Sequence, residues 1–304
     1  MAEKPVDNVY IFTDADLDGA CCYTVFRWYT KLICPYKACT EKSFRKDFEN
    51  FLKNNKIENF KKIYIFDLSM LNKNEDIVDL PNVTYINHGE DDPQDIKKYK
   101  NAKIITDRSP SCVLMLYKRL KEKYGDILTE AQKRLVSLVN DYDSYNLKHP
   151  FSKDLNFLFW SYQGDRVEKF FNDFKSGFTE FNFQQKNLIK FYKENLNKTL
   201  QSLSVYRGKV THEESNYTVV STFTNTAPSE VAHYILEKYN GDIAIVVNLN
   251  TKYISLRKDK NKNNDLHVGN FTKKNFNGGG TQNIGGGFLN EDFLKFSKEL
   301  EAVK

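Results

Sequence analysis

The sequence predicts an α/β protein: an N-terminal parallel sheet, then a helical connector, then a smaller mixed α/β domain. Three observations carry that reading. Short apolar, β-prone runs at Val9–Phe12, Lys62–Asp67, Val83–Ile86 and Lys103–Thr106 alternate with stretches of helical apolar spacing, the pattern of parallel strands with crossover helices. Each of those runs empties into polar residues: Asp14-Ala15-Asp16-Leu17-Asp18, Asp67, Asn87-His88-Gly89 and Asp107. The chain has 304 residues, enough for two cores, and its strand–helix alternation starts afresh after an aromatic-rich helical stretch. The domain boundaries read from the sequence are 1–185, a connector at 186–206, and 207–304.

The first run matters most. Tyr10-Ile11-Phe12 leads into Thr13-Asp14-Ala15-Asp16-Leu17-Asp18-Gly19. Carboxylates two residues apart at a strand end can aim several hard oxygen ligands at one point. Left unpaired, they repel, so a divalent cation is the natural neutraliser. Gly19 allows a tight turn into the apolar helix Ala20–Tyr29. An EF-hand loop also begins D-x-D-x-D-G, but it needs a glutamate at its twelfth position and a helix in front. Here the twelfth position is Val25 and a strand precedes. A solvated acidic turn is the bland alternative. Against it stands the topology: in parallel sheets, ligands collect at the carboxyl ends of strands, so Asp14, Asp16, Asp18, Asp67 and His88 become neighbours.

Further along, Phe44–Asn55, Ser111–Tyr124 and Thr129–Tyr142 read as helices, with Ser109-Pro110 as a start signal for the second. Leu155–Gln163, Asp165–Phe174 and Lys186–Val205 continue the helical region. In the last part, Tyr217–Thr222, Asp242–Asn248 and Tyr253–Leu256 read as strands, Pro228–Tyr239 as a helix, and Asn290–Ala302 as a closing helix. Between them lie a Lys/Asn-rich loop at Arg257–Asp265 and the glycine run Gly278-Gly279-Gly280-Thr281-Gln282-Asn283-Ile284-Gly285-Gly286-Gly287. That run matches neither the G-x-G-x-x-G dinucleotide pattern nor a P-loop. It reads either as a flexible closing segment or as backbone able to approach a phosphate.

Composition narrows the class. Hydrophobic residues make up 40% and charged residues 28%, a globular balance that excludes a disordered chain. A net charge of +5 permits a polyanionic partner. Five cysteines without a C-x-x-C pair indicate reduced thiols in a cytosol-like compartment. With no signal-type apolar segment and no membrane-length apolar run, the expectation is a cytoplasmic protein that does not engage a membrane. The sequence leaves a homodimer open.

In order along nearly the whole chain, these motifs resemble the DHH/DHHA1 phosphoesterase superfamily, which includes RecJ-type exonucleases and oligonucleotide nucleases. Thr13-Asp14-Ala15-Asp16-Leu17-Asp18-Gly19 is similar to the first motif and Phe66-Asp67-Leu68-Ser69 to the second. Ile86-Asn87-His88-Gly89 stands where the Asp-His-His triplet belongs, and Val139-Asn140-Asp141-Tyr142-Asp143 at the fourth acidic motif. Gly278-Gly279-Gly280-Thr281 with Gly285-Gly286 resembles the GGGH…AAG signature, with Ser255-Leu256-Arg257 upstream. The resemblance implies two manganese ions, or magnesium, held by Asp14, Asp16, Asp18, Asp67, His88 and Asp141, with Asp143 as the alternative to Asp141. Asp67 and His88 would be central to catalysis. It implies in-line hydrolysis by metal-activated water of single-stranded DNA or short oligonucleotides. Arg257, Gly278, Gly279, Gly280, Thr281, Asn283 and Arg108 would bind substrate, in a cleft between the two domains.

The chain departs from the pattern at three places. Asn87 replaces the triplet's acid, Gly89 its second histidine, and Thr281 the histidine of the glycine signature. Lost charge-assisted hydrogen bonds of that kind are worth about 1.5–3 kcal/mol each. The alternatives to the nuclease are therefore a nucleic-acid-binding relative with weakened turnover, or a hydrolase of cyclic dinucleotides or small phosphoesters.

Overall fold

The computed structural model describes residues 8–69, 74–88, 93–259, 262, 265–289 and 300–302. The chain forms two compact units, Met1–Tyr192 and Lys193–Lys304, and the division falls inside a helix.

The first unit runs β1 Val9–Asp14, α1 Leu17–Thr30, β2 Tyr36–Cys39, α2 Glu41–Asn54, β3 Lys62–Phe66, α3 Glu75–Val78, β4 Val83–His88, α4 Pro93–Lys98 and β5 Lys103–Asp107. Helices α5 Cys112–Tyr124, α6 Glu130–Asp143, α7 Pro150–Ser161 and α8 Arg166–Phe174 come next, and then α9 Phe183–Gln201, which carries the chain across the division. The sheet order is β2-β1-β3-β4-β5, with every pairing parallel. All strands therefore end at one edge.

Successive strand residues serve opposite faces. Ile11, Phe66 and Ile86 join the core formed with α1, α5, α6, α7 and α8. Phe12, Ile65 and Tyr85 turn the other way, onto Phe44, Phe48 and Phe51 of α2. Phe12 lies 5.1–5.6 Å from the three α2 rings, and burying each such ring contributes about 1.5–3 kcal/mol. Helix α1 is buried from Leu17 to Tyr29, so it is enclosed on every side rather than amphipathic. A Cβ on Gly19 would come within 2.3 Å of the Asp14 carbonyl oxygen. Glycine there lets the helix start fold directly back on β1.

The second unit runs β6 Val205–His212, β7 Ser215–Thr224, α10 Pro228–Tyr239, β8 Ile243–Asn248, β9 Tyr253–Lys258, α11 Val268–Phe276, β10 Gly279–Gly280, β11 Ile284–Phe288 and β12 Leu300–Ala302. Its sheet is ordered β10-β11-β9-β8-β7-β6-β12, antiparallel except for β7 with β8. Val231, Ile235 and Leu236 of α10 pack on Val220, Ala244 and Val246. Phe271 and Phe276 of α11 pack on the opposite face, with Ile245, Val247 and Leu256.

Several expectations change here. The glycine run is a hairpin of paired strands, not a free loop: Gly279 pairs with Gly286 and Gly280 with Gly285. A Cβ on Gly285 would strike Thr272 Oγ1 at 2.1 Å, and one on Gly269 would strike the Gly280 carbonyl at 2.2 Å. These glycines let α11 lie directly on the hairpin. The closing helix expected at 290–302 lies outside the described residues up to 299, and its last three residues form β12 against β6. The helix expected at Lys186–Val205 ends at Gln201, and Val205 opens a strand. Strands β2 and β6 and helix α11 had no counterpart in the sequence reading.

Candidate metal centre

The carboxyl edge of the parallel sheet gathers the acids. Asp14 closes β1, Asp67 comes directly after β3, and His88 closes β4. Ligand atoms of Asp18, Asp67 and His88 all lie within 4.8 Å of one another. His88 Nε2 stands 3.5 Å from Asp67 Oδ1, 4.0 Å from Asp18 Oδ2 and 3.5 Å from Asp143 Oδ2. Its Nδ1 faces the Ser109 carbonyl at 3.3 Å. A carbonyl can only accept, so Nδ1 carries a proton and donates to it, which leaves Nε2 facing the carboxylates. That is the arrangement of a ligating histidine with its outer partner.

Asp14, Asp16 and Asp18 are each held by backbone amides. Asp16 caps α1, its Oδ1 accepting from Gly19 N at 2.9 Å. Asp14 Oδ1 accepts from Ala15 N at 2.6 Å. Asp18 is buried, and its two oxygens accept from Cys112 N at 2.7 Å and Val113 N at 3.0 Å, so it also neutralises the positive end of α5. The cap of α5 is Ser111, accepting from Leu114 N at 3.3 Å, two residues beyond the Ser109-Pro110 signal. Asp18 and Ser111 thus take the leading N–H groups of that helix between them. Asp67 adopts a left-handed backbone, φ 60°, which aspartate tolerates better than most residues but at a cost.

The electrostatics come from crowding. Burial, then the charges of Asp18 and Asp16, push the Asp67 carboxyl well above its ordinary value. Burial, then Asp16, does the same to Asp14. Burial raises Asp18 to about 6, against the pull of His88. Asp16 is also raised by burial, with the Gly19 amide and His88 opposing. Asp16 and Asp18 thus belong to the same field as Asp67, as the sequence anticipated. Carboxylate and imidazole donors without a thiolate suit manganese or magnesium, and a donor set this strained by like charge fits a divalent ion.

Asp141 stands differently. Its carboxylate accepts from Lys148 N at 3.1 Å, His149 N at 3.0 Å and Ser152 Oγ at 2.6 Å. It is committed to the turn after α6, and Asp143, one half-turn on, meets His88 instead. Asn87, in place of the triplet's acid, is buried beneath the edge with its amide 3.4 Å from Ser69 Oγ. Gly89 lies outside the described residues. Arg108 is exposed beyond β5.

In the second unit, Arg257 donates to Ser229 Oγ and to the Leu256 carbonyl, each at 2.9 Å. Thr281 is exposed, and its N–H is taken by the Ile284 carbonyl at 2.8 Å. The Asn283 carbonyl accepts from Lys258 N at 3.0 Å. Gly278 and Gly280 face strand backbone at 1.9 and 2.1 Å from a notional Cβ, whereas Gly279 is open. Of the glycines assigned to substrate, two are therefore required by the hairpin itself.

Among solved structures, the chain is similar to the pGpG-specific phosphodiesterase PggH from Vibrio cholerae, at TM-score 0.54 and 13% identity over 96% of each chain. It is similar to RecJ from Thermus thermophilus in complex with Mn2+, at TM-score 0.55 and 11% identity, over 96% of this chain and 51% of that one. An exopolyphosphatase-related protein from Bacteroides fragilis matches at TM-score 0.51 and 15% identity, over 96% and 91%. The chain shares the fold of these structures. No protein-family model matches the sequence, and no curated protein does. The Asp18, Asp67, His88 and Asp143 constellation occupies the carboxyl edge of the parallel sheet, where such sheets bind ligands. Among the described residues, no helix is long and apolar enough to cross a membrane.

Proposed function

We propose that the protein is a manganese-dependent phosphoesterase that hydrolyses phosphodiester links in single-stranded DNA or short oligonucleotides. The observation that carries this reading is the convergence of Asp18, Asp67 and Asp143 on the Nε2 face of His88. Asp14 and Asp16, in the same crowded field, complete the ligands for a second ion. A bound divalent pair supplies water activation and charge neutralisation for in-line displacement at phosphorus. The chain's own contribution is to fix the ligands: Ser109 sets the His88 tautomer, and the α5 amides orient Asp18. Arg257 and the exposed Gly279 and Thr281 are the residues of the second unit proposed to bind substrate, with Asn283 and Gly278–Gly280 shaping that hairpin and Arg108 adding charge.

Within this reading, short substrates are favoured. The likeness spans 96% of the pGpG-specific enzyme but 51% of the RecJ chain, so it matches a dinucleotide phosphodiesterase over nearly its whole length. The test is hydrolysis of end-labelled single-stranded DNA, RNA, pGpG and a cyclic dinucleotide, with manganese or EDTA, alongside Asp67→Ala. Metal-dependent mononucleotide release, abolished by the substitution, supports the reading. Binding without cleavage would instead make this a nucleic-acid-binding relative, in line with the departures at Gly89 and Thr281.

A further inference from the structure

Helix α6 ends in Asn140-Asp141-Tyr142-Asp143, and the chain then makes an unusual turn. Tyr145 and Leu147 both have left-handed backbones, at φ 52° and 51°. Neither is glycine or asparagine, so the conformation is held against its local preference. Asp141 holds it from both ends. Its carbonyl accepts from Asn146 N at 3.1 Å and Leu147 N at 3.3 Å. Its carboxylate accepts from Lys148 N, His149 N and the fully buried Ser152 Oγ, at 3.1, 3.0 and 2.6 Å. One residue thus ties the end of α6 to the start of α7. The neighbouring Asn140 anchors the same helix end to α5, accepting from Ser111 Oγ at 2.8 Å. Between these ties sits Asp143, 3.5 Å from His88 Nε2.

We propose that Asp141 is a positioning residue that acts through Asp143. It clamps the strained turn, and the clamped turn fixes the last turn of α6 so that the Asp143 carboxylate faces His88. This role rests on the metal-site reading, and it assigns the two acids of the Asp-Tyr-Asp motif to different tasks: Asp143 to the ion, Asp141 to the turn. Outer-sphere partners of this kind typically cost about 10–100-fold in metal affinity when removed.

The experiment is a double-mutant cycle on the full chain, with Mn2+ affinity read by electron paramagnetic resonance and metal-free thermal unfolding in parallel. Asp141→Ala and Ser152→Ala are each made alone and in an Asp143→Asn background. Ser152→Ala removes a single hydrogen bond to Asp141 and serves where Asp141→Ala does not fold. The expected result is an affinity loss of about 10–100-fold for Asp141→Ala, a smaller loss in the same direction for Ser152→Ala, and no further loss from either in the Asp143→Asn background. Loss of function acting through a shared partner is non-additive in this way. Undiminished losses in the Asp143→Asn background, or wild-type affinity in both single variants, overturn the role of Asp141 while leaving the metal site standing. A wild-type chain that binds no Mn2+ overturns the metal site, and this role with it.

Discussion

His88 Nε2 and Asp67 Oδ1 stand 3.5 Å apart, each at the end of its own parallel strand, β4 and β3, which are paired in register from Ile63–Val83 to Phe66–Ile86. The pairing puts the two side chains at the same edge, and the left-handed backbone of Asp67 turns its carboxylate toward the ring. Without its acid, the edge keeps the imidazole but loses a proposed ligand. Asp67→Ala is therefore expected to lower Mn2+ affinity by about 100-fold or more, since loss of a ligand exceeds the 10–100-fold of an outer partner. Isothermal titration with Mn2+ checks this, and near-wild-type affinity would remove Asp67 from the ligand set.

The raised carboxyls make the metal-free protein sensitive to alkali. Asp18 rises to about 6, chiefly by burial, and Asp14 and Asp67 rise well above the ordinary carboxylate range. A carboxyl raised in the folded state binds its proton more tightly there than when unfolded. Its stabilising contribution is complete below the unfolded value and is lost as pH climbs through the folded one. In EDTA, the Tm should fall by several degrees between about pH 5 and pH 8. Excess Mn2+ replaces the protons and should abolish or reverse that fall. A flat EDTA profile would mean that the acids are not crowded in solution.

Gly19→Ala tests the seat of the first motif. The added Cβ meets Asp14 backbone at 2.3 Å, and backbone cannot give way as a flexible side-chain tip can. Overpacking of this kind costs about 1–3 kcal/mol, and because Asp16 and Asp18 flank the turn, Mn2+ affinity should fall with stability. Chemical denaturation and metal titration of the same variant measure both. A variant as stable as the parent would show that α1 can retreat from β1.

Within the hairpin, Gly279 and Gly280 should separate. Gly280 has φ 149° and would place a Cβ 2.1 Å from the Ile284 carbonyl, whereas nothing lies within 4 Å of a Cβ on Gly279. Gly280→Ala is expected to destabilise by about 1–3 kcal/mol. Gly279→Ala should leave stability within about 0.5–1 kcal/mol or raise it slightly. If Gly279→Ala nonetheless weakens oligonucleotide binding in a filter assay, the open glycine contacts substrate; unchanged binding would withdraw it from the substrate set.

Much of the edge was legible in the chain. Asp14, Asp16, Asp18, Asp67 and His88 each come after a short apolar run, and the alternation of strands with helices forces those runs to be parallel, so their ends must meet. The weak signals were missed for physical reasons. Tyr36–Cys39 is a four-residue edge strand, too short to show period two. Helix α11 contains Gly269 and Asn270 and starts from His267, whose Nδ1 accepts from Asn270 N at 3.2 Å, a cap outside the usual Ser, Thr, Asp or Asn. The glycine run reads as flexible because glycine carries no pattern, and it became strand because α11 lies against it too closely for any side chain.

By itself, then, the sequence determined the parallel sheet, the edge that collects its acids and the histidine among them, because hydrophobic period and strand direction are local properties that add up. It did not choose between Asp141 and Asp143. Two residues apart on a helix, their side chains diverge by roughly 200°, and which one faces the sheet depends on how α6 packs. The Ser111–Asn140 hydrogen bond and the Ser152 contact fix that rotation, and they form only when α5, α6 and α7 are already in place.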